Sequence, residues 1–299
     1  MSTTRNPKAP RNPGPSWGYG FLYRAATVLP APVFDSLLGL GTWVAVAVMP
    51  DERRCSGDYL AVILGRPATL SEIWRHFFAF ARTLVLKLRL AEGRPHRCTP
   101  GPGCLPFLKL MESRRPALLG TFHIGHSDML GYLLGQFQRR VHMIRLKVEN
   151  SRDTRRLSRQ FGQWVTFIWV NETENLLFAL KEAVQSGDSV AMECDRAGYS
   201  AKLEPFDFLG RRRLFPFSIY HLALIFQLPV AFCVGVPEGP DESLVHGSPV
   251  FEPDQGSKAA NLARARVHFQ EFLVRVEALL RDDPFVWFNF IPLNPEAQR

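Results

Sequence analysis

Residues 116–137 read PALLGTFHIGHSDMLGYLLGQF, and this stretch decides the fold. Its first part, Pro116–His123, is a short apolar run that predicts a buried β-strand. Ile-Gly-His-Ser follows, with Gly125 suited to a turn, and an apolar helix then starts near Asp128. A strand that turns directly into a helix is the unit from which α/β sheets are built.

The same alternation continues toward the end of the chain. Further strands are predicted at Val141–Leu146, Val165–Asn171, Ser189–Asp195 and Val230–Val236. Helical stretches are predicted near Asp128–Phe137, Asp153–Phe161, Thr173–Ser186, Ser218–Phe226 and Ala259–Arg281. We therefore expect an α/β fold with a mixed, mostly parallel sheet flanked by helices. In such sheets a ligand site usually lies at the carboxyl ends of the strands.

The first third of the sequence reads as helical and differs from this alternating remainder. Residues 1–16 are polar, basic and rich in proline, which predicts a disordered tail rather than a secretory signal. Residues 17–93 form the expected helical, membrane-facing segment. The stretch Arg94–Pro106 is dense in proline and glycine and predicts a loop. Residues 94–299 then form the expected α/β core, packing with 17–93 as one domain.

Two segments of the helical part carry a membrane signal. Phe34–Met49 is apolar but is interrupted by an acidic residue and glycines, and a full span usually needs about 20 apolar residues. An interfacial or buried helix is therefore favoured over a span. In the clearest helix, Leu70–Ala91, three arginines fall in one narrow stripe: Arg75, Arg82 and Arg89. That helix is either a core helix with one solvated edge or a helix in a membrane interface, with its arginines at the headgroups.

The net charge of +8 indicates an anionic partner, whether nucleic acid, anionic lipid or an acidic protein. Basic residues concentrate in residues 139–159, where Arg152, Arg155, Arg156 and Arg159 have the spacing of one helix face. That face is either solvated or docks an anionic membrane surface or an acidic carrier protein. No helix-turn-helix, zinc-finger or RNP-type motif is found, so we expect no nucleic-acid partner.

The 5 cysteines are odd in number and irregularly spaced, with no C-x-x-C pair, which favours reduced thiols. His96, Cys98 and Cys104 could hold a metal ion, but a second ligand pair is missing. We therefore expect no metal site.

His123 and Asp128 are the candidate chemical pair. His123 ends the first strand, and Asp128 stands in the first turn of the next helix, where the helix dipole favours a carboxylate. Across a corner with Gly125 in the turn, the two side chains can meet. A carboxylate on one imidazole nitrogen fixes the tautomer and leaves the other nitrogen free to take a proton from a hydroxyl. A purely structural hydrogen bond between the two stays open at this point.

The segment His123-Ile-Gly-His-Ser-Asp128 resembles the H-x-x-x-x-D/E motif of the lysophospholipid acyltransferase superfamily. Its context is most similar to the bacterial lipid A biosynthesis (lauroyl/myristoyl transferase) branch. Four further segments resemble family motifs in the same order: Gly187–Tyr199, Phe206–Gly210, Leu228–Val230 and Asp283–Phe290. Together these resemblances cover roughly residues 117–290.

This resemblance implies an O-acyltransferase of lipid biosynthesis with His123 as general base and Asp128 as its partner. It also implies that Arg145, Asp195 and Arg196, each at a predicted strand end, contact substrate phosphate, the oxyanion or the acceptor. The fatty acyl donor would be an acyl thioester, on acyl carrier protein or coenzyme A, and the acceptor a lipid hydroxyl. No metal or other cofactor is implied. The expected location is the cytoplasmic face of a bacterial inner membrane, with peripheral or monotopic attachment.

Two rival functions stay open from the sequence. A thioesterase or lipid hydrolase would use the same histidine and aspartate on water. A non-catalytic protein that binds a membrane or a carrier would show no turnover at all.

Overall fold

The structure is a computed structural model, and it describes residues 16–90, 93–133, 137–147, 162–171, 176–200, 202–239 and 241–297. The predicted tail lies almost entirely outside these residues. The predicted helix Asp153–Phe161 and the arginine face at residues 152–159 lie outside them as well.

The described chain begins with helices, as expected for the N-terminal part. Their bounds are α1 Ser16–Val28, α2 Ala31–Val48, α3 Pro50–Leu64 and α4 Leu70–Leu90. Pro50 starts α3 because a proline in the first helical turn loses no hydrogen bond. Gly65, with a left-handed φ of 68°, ends it. Thr69 and Glu72 form the predicted capping box at α4, since the Thr69 N–H donates to Glu72 Oε2 at 2.8 Å.

The remainder alternates strands and helices around one sheet. The strands are β1 Arg97–Pro100, β2 Leu118–Thr121, β3 Val141–Arg145, β4 Val165–Trp169, β5 Ser189–Glu193, β6 Leu203–Phe208, β7 Arg211–Pro216, β8 Val230–Gly239 and β9 Glu242–Gly247. The helices are α5 Leu105–Glu112, α6 Ser127–Leu133, α7 Leu176–Gln185, α8 Ser218–Phe226 and α9 Lys258–Asp282. The expected fold class is confirmed.

Within the described residues, the main sheet has seven strands in the order β1-β9-β8-β2-β5-β3-β4. Its neighbouring strands are parallel, except for the antiparallel pair β8 and β9. β6 and β7 form a separate antiparallel hairpin. The segment Arg94–Pro106, predicted as a loop, contains the edge strand β1. That strand pairs with β9, so tertiary contacts override its proline- and glycine-rich composition.

Successive residues of β2 point to opposite faces of the sheet, and each face is covered. Leu118 packs in a core with residues of α3, α8 and α9, whereas Leu119 packs in a second core with α5. Gly120 has no side chain because a Cβ there would overlap the ring of Phe232 on β8. β2 is therefore buried on both sides, which explains its unbroken apolar sequence.

The N-terminal helices pack partly against this core and partly face outward. Helix α4 buries residues along most of its length, including Phe77 and Leu86, which favours the interpretation of α4 as a core helix. Two of its three aligned arginines have protein partners: Arg75 lies over the Phe285 ring at 4.1 Å, and Arg89 lies 3.8 Å from Asp241.

Among the described residues no single helix is long and apolar enough to cross a membrane. The bent pair Pro32–Val48 and Pro50–Leu64, with 98° between its members, passes the same test of length and composition.

Candidate functional site

His123 lies just beyond the carboxyl end of β2, at the centre of the sheet. The loop that follows it is fixed by backbone hydrogen bonds on both sides. Gly125 donates to Val286 O at 2.7 Å, His126 donates to Gly235 O at 2.8 Å, and Phe288 donates to His123 O at 2.8 Å. Gly125 has a φ of 48°, a conformation that glycine adopts without steric cost. The turn expected at this glycine is therefore present, and backbone contacts hold the loop that follows His123.

Asp195 follows β5 and holds one edge of the His123 ring. Its Oδ1 lies 2.8 Å from His123 Nδ1, and its Oδ2 accepts from the His123 backbone N–H at 3.0 Å. The indole N–H of Trp287 donates to the same Oδ2 at 2.9 Å. The side chain of Asp195 is 0% exposed, so these donors replace its hydration. The contacts fix both the position of the ring and the proton on Nδ1.

Glu193, the last residue of β5, contacts the other edge of the same ring. Its Oε2 lies 2.9 Å from His123 Nε2. Burial lowers the pKa of His123, but the Asp195 and Glu193 carboxylates raise it more, to about 9. Burial acts to raise the pKa of Asp195, but the charged imidazole and the neighbouring donors have the larger effect. They lower the pKa of Asp195 to about 2. The ring is therefore a cation between two carboxylates at neutral pH.

The other predicted site residues lie around this centre. Arg196 follows Asp195 directly, and its Nη2 donates to Phe288 O at 3.2 Å. Arg145 ends β3 at the same sheet edge as Glu193, and its guanidinium lies 5.7 Å from the centre of the Phe167 ring. Asp128 belongs to α6, but its side chain lies outside the described residues. The roles in the reaction predicted for all five site residues stay predictions: His123, Asp128, Arg145, Asp195 and Arg196.

Three residues of the site had no predicted role. Glu193 was assigned only to a strand, although its position two residues before Asp195 puts both side chains on the same face of an extended chain. Trp287 lies in the motif-like segment Asp283–Phe290, which assigns it no individual role. Asn294 donates to Asp195 O at 2.8 Å and accepts from the Ala197 N–H at 3.0 Å. No pattern in the sequence links Asn294 to β5, since the contact spans about a third of the chain.

Trp287 also connects the site to the N-terminal helices. Its carbonyl oxygen lies 2.8 Å from Nε2 of His76 on α4, while Nδ1 of His76 lies 2.8 Å from the Ser56 hydroxyl on α3. Burial lowers the pKa of His76 to about 4, so this imidazole is neutral. Neutral His76 therefore donates to Trp287 and accepts from Ser56. The N-terminal helices and the His123 site thus share one hydrogen-bonded network.

Within the described ranges, no group of three or more His, Cys, Asp or Glu side chains is placed to hold a metal ion. All five cysteines are free thiols. His126, the second histidine of the motif, is buried with its Nδ1 at 2.7 Å from the Ser243 hydroxyl.

No protein-family model matches this sequence, and no curated protein matches it. Among solved structures, the chain is similar to 1-acyl-sn-glycerophosphate (LPA) acyltransferase, PlsC, from Thermotoga maritima. The sequence identity is 13%, the alignment covers 84% of this chain and 97% of that chain, and the TM-score is 0.39. A likeness at this level of identity and TM-score carries no argument about function.

Proposed function

We propose that this chain is an O-acyltransferase that moves a fatty acyl chain from an acyl thioester to a lipid hydroxyl, with His123 as general base. The observation that carries the proposal is the pairing of His123 Nδ1 with the buried Asp195 carboxylate at 2.8 Å. This pairing directs Nε2 away from the buried anchor, which is the arrangement that deprotonates a hydroxyl. The ordered sequence motifs from His123 to Phe290 supply the reaction class.

In the proposed reaction, His123 first loses its Nε2 proton. Nε2 of the neutral ring then takes the proton of the acceptor hydroxyl while the hydroxyl oxygen attacks the thioester carbonyl. The new C–O bond gives a tetrahedral oxyanion, which collapses as the C–S bond breaks. The leaving thiolate takes the proton from His123 and departs as a thiol. No Ser or Cys in a G-x-S-x-G elbow is present in the sequence, which favours direct transfer over an acyl-enzyme.

We propose further that Asp195 is the carboxylate that positions His123. Asp128, which the sequence motif predicts as the partner of His123, is a second candidate for this role. Arg145 and Arg196, both cationic and both at the carboxyl edge of the sheet, are proposed to bind anionic groups of the substrates. A guanidinium suits phosphate through its planar set of donors. The acyl donor is a thioester of acyl carrier protein or of coenzyme A, and either one supplies the bond that this reaction breaks.

The exposed side of α2 supports a membrane-facing role for the N-terminal helices. One face of α2 is buried through Phe34, Leu38 and Val46, yet Leu40 and Val44 on the rest of the helix are 65% and 56% exposed. A helix that only packed on a protein core would place polar residues on its outer side. We propose that this face enters the lipid interface, with peripheral or monotopic attachment at the cytoplasmic face of a bacterial inner membrane.

The activity test uses the purified full chain with acyl-labelled palmitoyl-acyl carrier protein or palmitoyl-coenzyme A and detergent-dispersed bacterial total lipid. We expect label in a lipid ester, and a loss of about 10²–10⁴-fold in rate for His123→Ala, since general base assistance has that magnitude. The control His142→Ala removes a histidine that pairs with Asp188 elsewhere and should keep its turnover. Label in free fatty acid would indicate the hydrolase instead. Full turnover by His123→Ala would refute the mechanism, and no turnover by the wild type with either donor would refute the proposed activity.

A further inference from the structure

Both ring nitrogens of His123 face carboxylate oxygens: Nδ1 faces Asp195 at 2.8 Å and Nε2 faces Glu193 at 2.9 Å. An ionised carboxylate only accepts hydrogen bonds, so each of these nitrogens must carry a proton. The ring is then an imidazolium with no free lone pair. In this arrangement His123 holds the proton that a general base would have to acquire, and the acceptor hydroxyl has no nitrogen to approach.

The two carboxylates differ in how firmly they are held. Asp195 is 0% exposed and accepts from the His123 backbone and from Trp287 in addition to the ring. The Glu193 side chain is 29% exposed, and within the described part of the chain His123 is the one ion-pair partner found for it. Glu193 can therefore turn toward solvent at the cost of one contact, whereas Asp195 would leave several buried donors unpaired.

We propose that Glu193 occupies the place of the acceptor hydroxyl in the free enzyme, and that the acceptor displaces it from His123 Nε2 before acyl transfer. This inference rests on the proposed function. The proton on Nε2 leaves with Glu193, which becomes a carboxylic acid and then releases the proton to solvent. Nε2 is left with a lone pair that faces the incoming hydroxyl, while Nδ1 keeps its proton on Asp195. Glu193 is thus a built-in competitor of the acceptor.

The charges around the His123 ring make the proposed competition between Glu193 and the acceptor depend on pH. The charged groups with the largest effect on His123 are Asp195 and Glu193, which raise its pKa, and Arg196, which lowers it; burial lowers it as well. Removing the Glu193 charge lowers the pKa of His123, so the neutral ring forms at lower pH. A nearby opposite charge typically shifts a pKa by about 1–3 units. The acid limb of kcat/KM for the acceptor should therefore move down by about that amount in Glu193→Gln.

The test compares Glu193→Gln with the wild type across pH 5–10, using the labelled donors and lipid dispersion named above. At pH values below the wild-type limb, kcat/KM should rise by about tenfold for each unit of displacement. Glu193→Asp keeps the charge and should keep the limb near its wild-type position. Glu112→Gln is the matched control, because it removes an exposed carboxylate on α5, at the opposite edge of the sheet, and should leave the profile unchanged.

A second measurement does not depend on turnover. Histidine-labelled protein gives the His123 pKa by NMR titration, with the signal assigned from His123→Gln. A lower His123 pKa in Glu193→Gln supports the ion pair between Glu193 and His123 on which the proposal depends, even where no acyl transfer is seen. Failure of this contact can thus be told apart from failure of the proposed function. An unchanged pKa, an unmoved acid limb, or activity that drops at every pH to the level of His123→Ala would each overturn it.

Discussion

Replacing Asp195 with asparagine removes the buried carboxylate that holds His123 while leaving the volume of the side chain nearly unchanged. In the wild type the two carboxylate oxygens accept from the His123 ring, the His123 backbone and Trp287 at 2.8–3.0 Å. An asparagine offers one acceptor oxygen, and its NH₂ group must then face an N–H donor. Either the His123 ring loses the partner that fixes its tautomer or another buried donor is stranded.

The expected loss follows from those contacts. A wrong or unfixed tautomer of a catalytic histidine costs about 10²–10⁴-fold in kcat. Each stranded buried donor lowers the free energy of unfolding by about 1–3 kcal/mol. Asp195→Asn should therefore be a folded but less stable protein with severely reduced turnover. Urea denaturation gives the stability, and the acyl-transfer assay gives kcat.

A control within the same chain separates chemistry from structure. Asp188 on the loop before β5 pairs with His142 Nε2 at 2.9 Å, in a histidine–aspartate contact at the opposite edge of the sheet. Asp188→Asn should lose stability without losing turnover. If Asp195→Asn keeps kcat within about threefold of wild type, Asp195 does not position the base. Asp128→Asn would then become the decisive variant.

Two further perturbations test the charge state of the site and the proposed lipid face. Because the pKa of His123 is raised from 6.5 to about 9, its contribution to stability is fully present below about pH 6.5 and is lost as pH rises through about 9. Chemical denaturation across this range should show that loss in the wild type and not in His123→Gln, and parallel curves for the two proteins would contradict the charge assignment. On α2, Leu40→Glu with Val44→Glu should weaken flotation with phosphatidylglycerol-containing liposomes by at least about tenfold, since each side chain loses roughly 1–2 kcal/mol of apolar insertion. Val267→Glu with Val274→Glu makes the same change on exposed residues of α9 and should bind as wild type does; equal binding by both double variants would refute a lipid role for α2.

The alternation of strands and helices was predictable because it depends on local pattern. The apolar run before His123 and the glycine turn after it specify β2 and its corner from neighbouring residues alone. The hairpin β6–β7, the edge strand β1 and its neighbour β9 are not indicated by the sequence pattern. Their residues include proline and charged side chains, so composition does not predict strands there. Pairing makes them extended: β6 with β7 in a hairpin, and β1 with β9 from far along the chain.

The residues of the site also fall into those that local sequence predicts and those that it does not. His123 was predictable because a strand end, a glycine and a family-like motif coincide within a few residues. The partner of its Nδ1 could not be read from spacing, since Asp195 reaches it across the parallel pair β2 and β5. The indole N–H of Trp287, which also donates to Asp195, comes from still farther along the chain, after α9. Local sequence patterns in this protein identify His123, and the sheet topology brings to it the carboxylates that position its ring and raise its pKa.

The position of Trp287 has a consequence for any attempt to obtain a shorter, more easily handled form of this protein. Its indole N–H donates a hydrogen bond to the Asp195 carboxylate, and its carbonyl oxygen accepts a hydrogen bond from His76 on α4. A chain shortened to begin at residue 94 would lose that donor and the aromatic packing of Tyr59, whose ring centre lies 5.1 Å from that of Trp287. The indole would then be free to tilt, and the carboxylate with it. Removing these helices would thus remove part of the support of the site, in addition to the face proposed to contact lipid.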